Sequence, residues 1–162
     1  MIENLVVGCL TMIICLLIQC VIIGLLLRMA FRLEKKTLVR PTLWMTYSVL
    51  ITVMLVLLLG NLLQMSLWGG VFLACGEFAD YSTAFYHSVV NFSTLGYGDL
   101  VMSDERRLLG ALEAVNGVLM FALTGSCLFV VLSHLARREW YERLDREIVG
   151  DGPNPPDVPE AS

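Results

Sequence analysis

The segment at residues 94–98 has the composition of a cation site built from backbone. It reads Thr-Leu-Gly-Tyr-Gly and is followed by Asp99. Glycine adopts backbone conformations that other residues resist, so a strand with two glycines can point successive carbonyl groups to one side. Rings of such carbonyls, contributed by several chains, can replace the water shell of a dehydrated monovalent cation. The segment therefore predicts an ion-binding strand that one chain cannot complete.

The overall composition is that of a membrane protein. Of the 162 residues, 57% are hydrophobic and 16% are charged, whereas soluble domains average about 45–50% apolar and about 25% charged residues. The net charge of −4 is too small to indicate a nucleic acid or an acidic substrate. The sequence has no plausible nucleophile–base set and no cysteine spacing typical of a metal site, so we do not expect an enzyme.

Three apolar stretches are long enough to cross a membrane, at residues 5–27, 43–67 and 108–135. A helix needs about 20 apolar residues to cross a hydrocarbon core of about 30 Å. A further stretch, residues 82–93, is too short to span and leads directly into the glycine-containing segment. Non-helical backbone at membrane depth must be enclosed by protein or line a water-filled path. We therefore expect a short helix that enters the membrane and a strand that returns.

Charged residues orient the predicted helices. Basic residues are concentrated after the first apolar stretch, at Arg28, Arg32, Lys35, Lys36 and Arg40. Four arginines follow the third stretch, and the positive-inside rule then places the N-terminus outside and the C-terminus in the cytoplasm. Topology explains the basic run, so binding of anionic lipid by these residues is the less favoured interpretation.

The chain divides into three predicted units. Residues 1–40 form a transmembrane helix and a basic cytoplasmic linker, in which Gln19 is either an interhelical contact or a tolerated polar residue. Residues 41–135 contain two membrane-spanning helices, the short helix and the strand. Residues 136–162 form a charged cytoplasmic helix and a disordered, proline-rich tail.

Thr94, Leu95, Gly96, Tyr97 and Gly98, with Asp99, are similar to the Thr-Val-Gly-Tyr-Gly-Asp signature of potassium channels. Residues 43–135 resemble the two-span pore module of small bacterial members of that family, and the first span and the tail fall outside the resemblance. It implies an all-α integral membrane protein with three transmembrane helices, a re-entrant pore helix and a selectivity-filter loop, assembled as a homotetramer. It also implies passive K⁺ conduction, no cofactor, K⁺ as the permeant ion, and a bacterial inner membrane.

The resemblance also implies roles for individual residues. The carbonyls of residues 94–97 would coordinate K⁺, with the Thr94 hydroxyl completing the innermost site, and four Asp99 carboxylates would concentrate cations at the outer mouth. Tyr86 and His87 stand where the family often has two tryptophans that bond the filter tyrosine, and we expect both to support the filter. His87 is alternatively a proton sensor.

Two further positions depart from the family pattern. Where some members have a filter-bracing glutamate this chain has Val90, and Glu113 of the third span is a candidate replacement unless it is solvated at the outer surface. Asn116 is a candidate for facing the water-filled cavity. The position that often holds a hinge glycine is Phe121, with Gly117 and Gly125 about one turn away on either side.

Other functions stay open at this stage. A weakly selective cation channel follows if the altered filter support fails, and a non-conducting modulatory subunit could carry the same filter. A secondary transporter built from pore repeats would carry several filter copies, whereas this chain has one. No span has arginine at every third position, so the sequence predicts no voltage sensor and no particular opening stimulus.

Overall fold

The computed structural model describes residues 1–36 and 43–150, and nearly all of these residues are helical. The four helices are α1 (Ile2–Lys36), α2 (Leu43–Ala74), α3 (Tyr81–Phe92) and α4 (Arg107–Gly150). Three of them contain stretches long and apolar enough to cross a membrane, at Ile2–Met29, Tyr47–Ala74 and Arg107–Arg137. The predicted all-α membrane fold is confirmed.

Some expectations fall outside the described residues. Arg40 and the predicted disordered tail at 151–162 are among them, as are the side chains of Lys35 and Lys36. The proposed lipid contact of the basic run and the division into three units therefore stay predictions.

The α2 helix continues beyond the end that the sequence suggested. The glycine pair at 69 and 70 resembles a helix stop, yet α2 passes through it to Ala74. Gly69 lies where α3 crosses α2, and a Cβ there would come within 3.0 Å of the Cα of Phe85. The glycine therefore permits a close approach of two helices inside a continuous helix.

The short helix α3 has a defined start. The Asp80 carboxylate accepts hydrogen bonds from the backbone N–H of Thr83 at 2.7 Å and from its hydroxyl at 2.8 Å. These are the bonds of an N-cap, which satisfies N–H groups that the first helical turn leaves unpaired. The same bonds, the backbone one first, hold the pKa of Asp80 below its usual value.

The main apolar core lies where α3 meets α2 and α4. Trp68 and Phe72 of α2, Phe92 of α3, and Leu109 and Met120 of α4 are all fully buried there. This core fixes α3 against the two long helices, so the strand that follows Phe92 leaves from a rigid base.

Candidate functional site

The strand after α3 has an alternating backbone conformation. Thr94, Gly96 and Gly98 have φ of 58°, 58° and 75°, whereas Leu95 and Tyr97 do not have positive φ. Glycine reaches this left-handed region freely, but the conformation costs other residues about 1–2 kcal/mol, so Thr94 is strained. Because every second residue is left-handed, successive carbonyl groups no longer alternate in direction as they do in a β-strand.

The strand is held by its amide groups, and its carbonyl groups are left free. The N–H groups of Leu95 and Gly96 both donate to the carbonyl oxygen of Val90, at 3.0 and 3.3 Å. Between described residues, no hydrogen bond ends on the carbonyl oxygens of residues 94–97. The side chains of Leu95 and Tyr97 are 55% and 68% exposed in the single chain. The strand can therefore offer several carbonyl oxygens to a cation.

Within one chain Tyr86 bonds to Asp99, the residue after the strand, and its expected support of Tyr97 stays a prediction. Its hydroxyl donates to Asp99 Oδ2 at 2.8 Å, and the N–H of Leu100 donates to Asp99 Oδ1 at 3.1 Å. Tyr86 belongs to α3 and Asp99 follows the strand, so this bond ties the C-terminal end of the strand back to the helix. Asp99 is exposed.

His87 packs behind the strand as an aromatic ring. Its ring lies 5.5 Å from that of Phe72 and 5.0 Å from that of Phe78, and the residue is 8% exposed. Its Nε2 has no hydrogen-bond partner among the described residues. The ring stabilises the middle of α3 by packing. Among the described residues, no hydrogen bond or ring contact joins His87 to Tyr97.

Glu113 is fully buried and contacts α3 directly. The Ser88 hydroxyl lies 2.5 Å from Glu113 Oε1, and Asn91 Nδ2 donates to Glu113 Oε2 at 3.2 Å. Asn91 also donates to the carbonyl oxygen of Gly110 at 2.8 Å. The alternative that Glu113 is solvated at the outer surface is wrong, because none of its surface is exposed.

The number of available hydrogens favours a neutral Glu113. Ser88 Oγ also lies 2.8 Å from the carbonyl oxygen of Met65, and a serine hydroxyl carries a single proton. When Glu113 is protonated, it donates to Ser88 while Ser88 donates to Met65, and every group is satisfied. An ionised Glu113 could only accept, so it would compete with the Met65 carbonyl oxygen for the single proton of the Ser88 hydroxyl. The site thus connects α2, α3 and α4 through one carboxyl group.

The remaining predicted residues of α4 differ in their surroundings. Asn116 is fully buried and both polar atoms of its amide lack a partner among the described residues, so it does not face an open cavity as expected. A Cβ at Gly117 would overlap the carbonyl oxygen of Phe92, so Gly117 is a close contact with α3. A Cβ at Gly125 would meet nothing within 4 Å, so Gly125 stays the freer of the two hinge candidates.

The sequence reasoning missed Ser88 and Asn91. They lie three residues apart, which places them on one face of α3. Polar residues at that spacing on a short apolar helix were the available signal for Glu113 partners. Among the described residues, no group of three or more His, Cys, Asp or Glu side chains could hold a metal ion. The candidate cation ligands are the strand carbonyls, because of their backbone conformation and their lack of hydrogen bonds among the described residues.

Residues 61–134 match a family model described as Ion channel. This match supports the interpretation of the chain as an ion channel. It begins within α2, includes α3, the strand, Glu113 and Gly117, and ends within α4. The helix α1 lies outside the matched region of the channel. No curated protein and no solved structure matches the chain.

Proposed function

We propose that this chain is one subunit of a potassium-selective channel that conducts K⁺ passively through a pore formed by four identical copies. The observation that carries the proposal is the alternating backbone of Thr94, Gly96 and Gly98, with unpaired carbonyls between them. Rings of carbonyl oxygens from such strands can replace the water shell of a cation.

Four copies follow from the chemistry of coordination. One strand contributes one carbonyl oxygen at each level, whereas a dehydrated cation needs a ring of them. The exposed side chains of Leu95 and Tyr97 would be covered by neighbouring subunits in such a ring. Residues 94–97 would supply the K⁺ ligands, with the hydroxyl of Thr94 at the innermost position.

The filter support proposed here uses contacts of this chain. Tyr86 holds Asp99 from the middle of α3, His87 packs behind the strand, and Glu113 holds the C-terminal half of α3 through Ser88 and Asn91. Four Asp99 carboxylates would attract cations to the outer mouth. The charge distribution favours an N-terminus outside and a C-terminus in the cytoplasm, and the resemblance to small bacterial potassium channels suggests a bacterial inner membrane.

The test is reversal potential in liposomes that contain the purified protein, under a potassium–sodium gradient. We expect reversal near the potassium equilibrium potential, and loss of the current in Gly96→Ala, because Gly96 has a φ of 58° that alanine resists. The matched control is Gly70→Ala, a helical glycine with nothing within 4 Å of the added Cβ; its current should be unchanged.

Two results would contradict the proposal. A current that reverses near zero would indicate the weakly selective cation channel, whose filter support does not discriminate between the ions. The absence of current from a correctly folded tetramer would indicate the non-conducting modulatory subunit.

A further inference from the structure

The helix α1 buries small and polar side chains and leaves its large apolar side chains exposed. Its buried residues fall on a single stripe with spacings of three, four or seven, and all but one are small or polar: Asn4, Gly8, Thr11, Cys15, Gln19 and Leu26. Its large apolar side chains, such as Leu10, Leu17 and Val21, are 55%, 58% and 61% exposed. Small and polar residues are the ones that hold helices together in membranes.

At its N-terminal end, α1 contacts residues 100–106, the linker between the strand and α4. The Asn4 amide is 4% exposed and uses both of its ends: Nδ2 donates to the carbonyl oxygen of Glu105, and Oδ1 accepts from Arg106 Nη1 at 3.1 Å. Arg106 also pairs with Glu3 at 3.5 Å. One buried side chain of α1 thereby fixes two consecutive residues of the linker.

The same linker is held from its other side by the turn that precedes α3. The Glu77 carboxylate accepts from the N–H of Ser103 at 2.9 Å and from its hydroxyl at 2.8 Å. The chain that leaves Asp99 is thus fixed between Glu77 and Asn4. One of the two contacts comes from a helix outside the matched channel region.

Near the middle of its apolar span, α1 contacts both α2 and α4. Gln64 Nε2 donates to Gln19 Oε1 at 2.8 Å, and Gln19 Nε2 donates to Thr124 Oγ1 at 3.1 Å. Gln19 and Gln64 are both fully buried. Thr124 directly precedes Gly125, so this bond fixes α4 next to its freer hinge candidate.

We propose that α1 is a positioning element of the pore, in which Asn4 holds the linker that leaves the filter and Gln19 holds the middle of α4. The inference rests on the proposed channel function for its electrical readout, whereas its structural readout does not need a current. An interhelical hydrogen bond in a membrane changes an equilibrium by about threefold. Gln19 makes two such bonds and Asn4 makes two bonds to the linker, so on this scale each residue affects the pore by up to about ninefold.

The experiment compares Asn4→Leu and Gln19→Leu with Thr11→Val in the full-length protein in liposomes. Thr11 is a matched control, because it is 4% exposed on the same stripe but its hydroxyl bonds only to the carbonyl oxygen of Val7 in its own helix. The two readouts are hydrogen–deuterium exchange of the backbone amides of residues 100–106 and the single-channel open time.

We expect Asn4→Leu to speed exchange of this linker by about threefold or more and to shorten the open time by a similar factor. Gln19→Leu should change the open time by about threefold or more and leave exchange of the linker near the wild-type rate. Thr11→Val should change neither. Asn4→Asp keeps an acceptor for Arg106 and loses only the bond donated to Glu105, so its effect should be smaller. This variant replaces Asn4→Leu in the experiment if the leucine variant does not fold.

The inference is overturned if Asn4→Leu and Gln19→Leu behave like Thr11→Val, or if they lower only the yield of folded protein. If the wild-type protein carries no current, the proposed function fails separately. The exchange rates of Asn4→Leu and Thr11→Val then decide the inference: faster exchange only in Asn4→Leu supports it, and equal rates overturn it.

Discussion

Replacing Gly117 by alanine should separate α3 from α4 where the strand begins. The added Cβ would overlap the carbonyl oxygen of Phe92 and lie 2.8 Å from its carbonyl carbon and 3.1 Å from its Cα. These are backbone atoms at the last residue of α3, so no side-chain rotation can relieve the contact. Because Phe92 lies two residues before Thr94, any displacement is passed to the strand.

The size of the effect follows from two opposing contributions. Overpacking a close contact costs about 1–3 kcal/mol, and the backbone nature of this contact favours the upper value. Alanine is better than glycine in a helix by about 1 kcal/mol. The net destabilisation is about 2 kcal/mol, which for a chain of this size lowers the unfolding midpoint by about 4–8 °C.

The assay is thermal unfolding of the purified protein in detergent, followed by intrinsic tryptophan fluorescence, since Trp68 is buried whereas Trp44 and Trp140 are exposed. Gly125→Ala is the control in the same helix, because nothing lies within 4 Å of its added Cβ, and its midpoint should be equal to or above that of the wild type. A Gly117→Ala protein as stable as Gly125→Ala would refute the reasoning. Gly117→Ala should also reduce the K⁺/Na⁺ permeability ratio.

Three further predictions concern polar contacts. Glu113→Gln should keep the wild-type unfolding midpoint, since an amide can donate to Ser88 and accept from Asn91 as the protonated acid does. Glu113→Leu should lower the free energy of unfolding by about 1 kcal/mol. Equal losses of stability in the two variants would contradict a neutral Glu113. Tyr86→Phe should shorten single-channel openings because Asp99 loses its bond to α3; unchanged openings would mean that this bond does not support the filter. Asp80→Asn should preserve the helix cap without its charge. The folded pKa of Asp80 is lowered. The extra stability of the wild-type protein over Asp80→Asn is therefore present above about pH 4 and is lost as the pH falls through the folded pKa. A difference between the two unfolding midpoints that does not depend on pH would contradict this explanation.

Much of the architecture could be predicted because it depends on local patterns. The three spans follow from the length of apolar runs, and the short helix follows from a run too short to span. The strand was recognisable because its two glycines permit the left-handed conformations observed at 96 and 98. The left-handed Thr94 was not predictable, because threonine resists this conformation unless its surroundings impose it.

The surroundings of individual polar residues could be predicted only in part. Glu113 is conspicuous in the sequence as a carboxyl group inside an apolar span, which is costly without a partner. Its partners Ser88 and Asn91 are more than twenty residues away in sequence, and no local pattern joins them. For the same reason the sequence does not reveal the bond from Tyr86 to Asp99, and it suggests a cavity for Asn116 although that residue is fully buried.

By itself, the sequence determined the apolar spans, the half-length helix and the chemistry of the strand, since each depends on neighbouring residues. The tertiary structure alone decided that α2 continues through Gly69, that Gly117 contacts the backbone of α3, and that α1 holds both the linker and the middle of α4. Those features depend on which helices meet and at which level. The small and polar residues of α1 share one helical face in the sequence, but only the packed structure decides which residues of the other helices that face contacts.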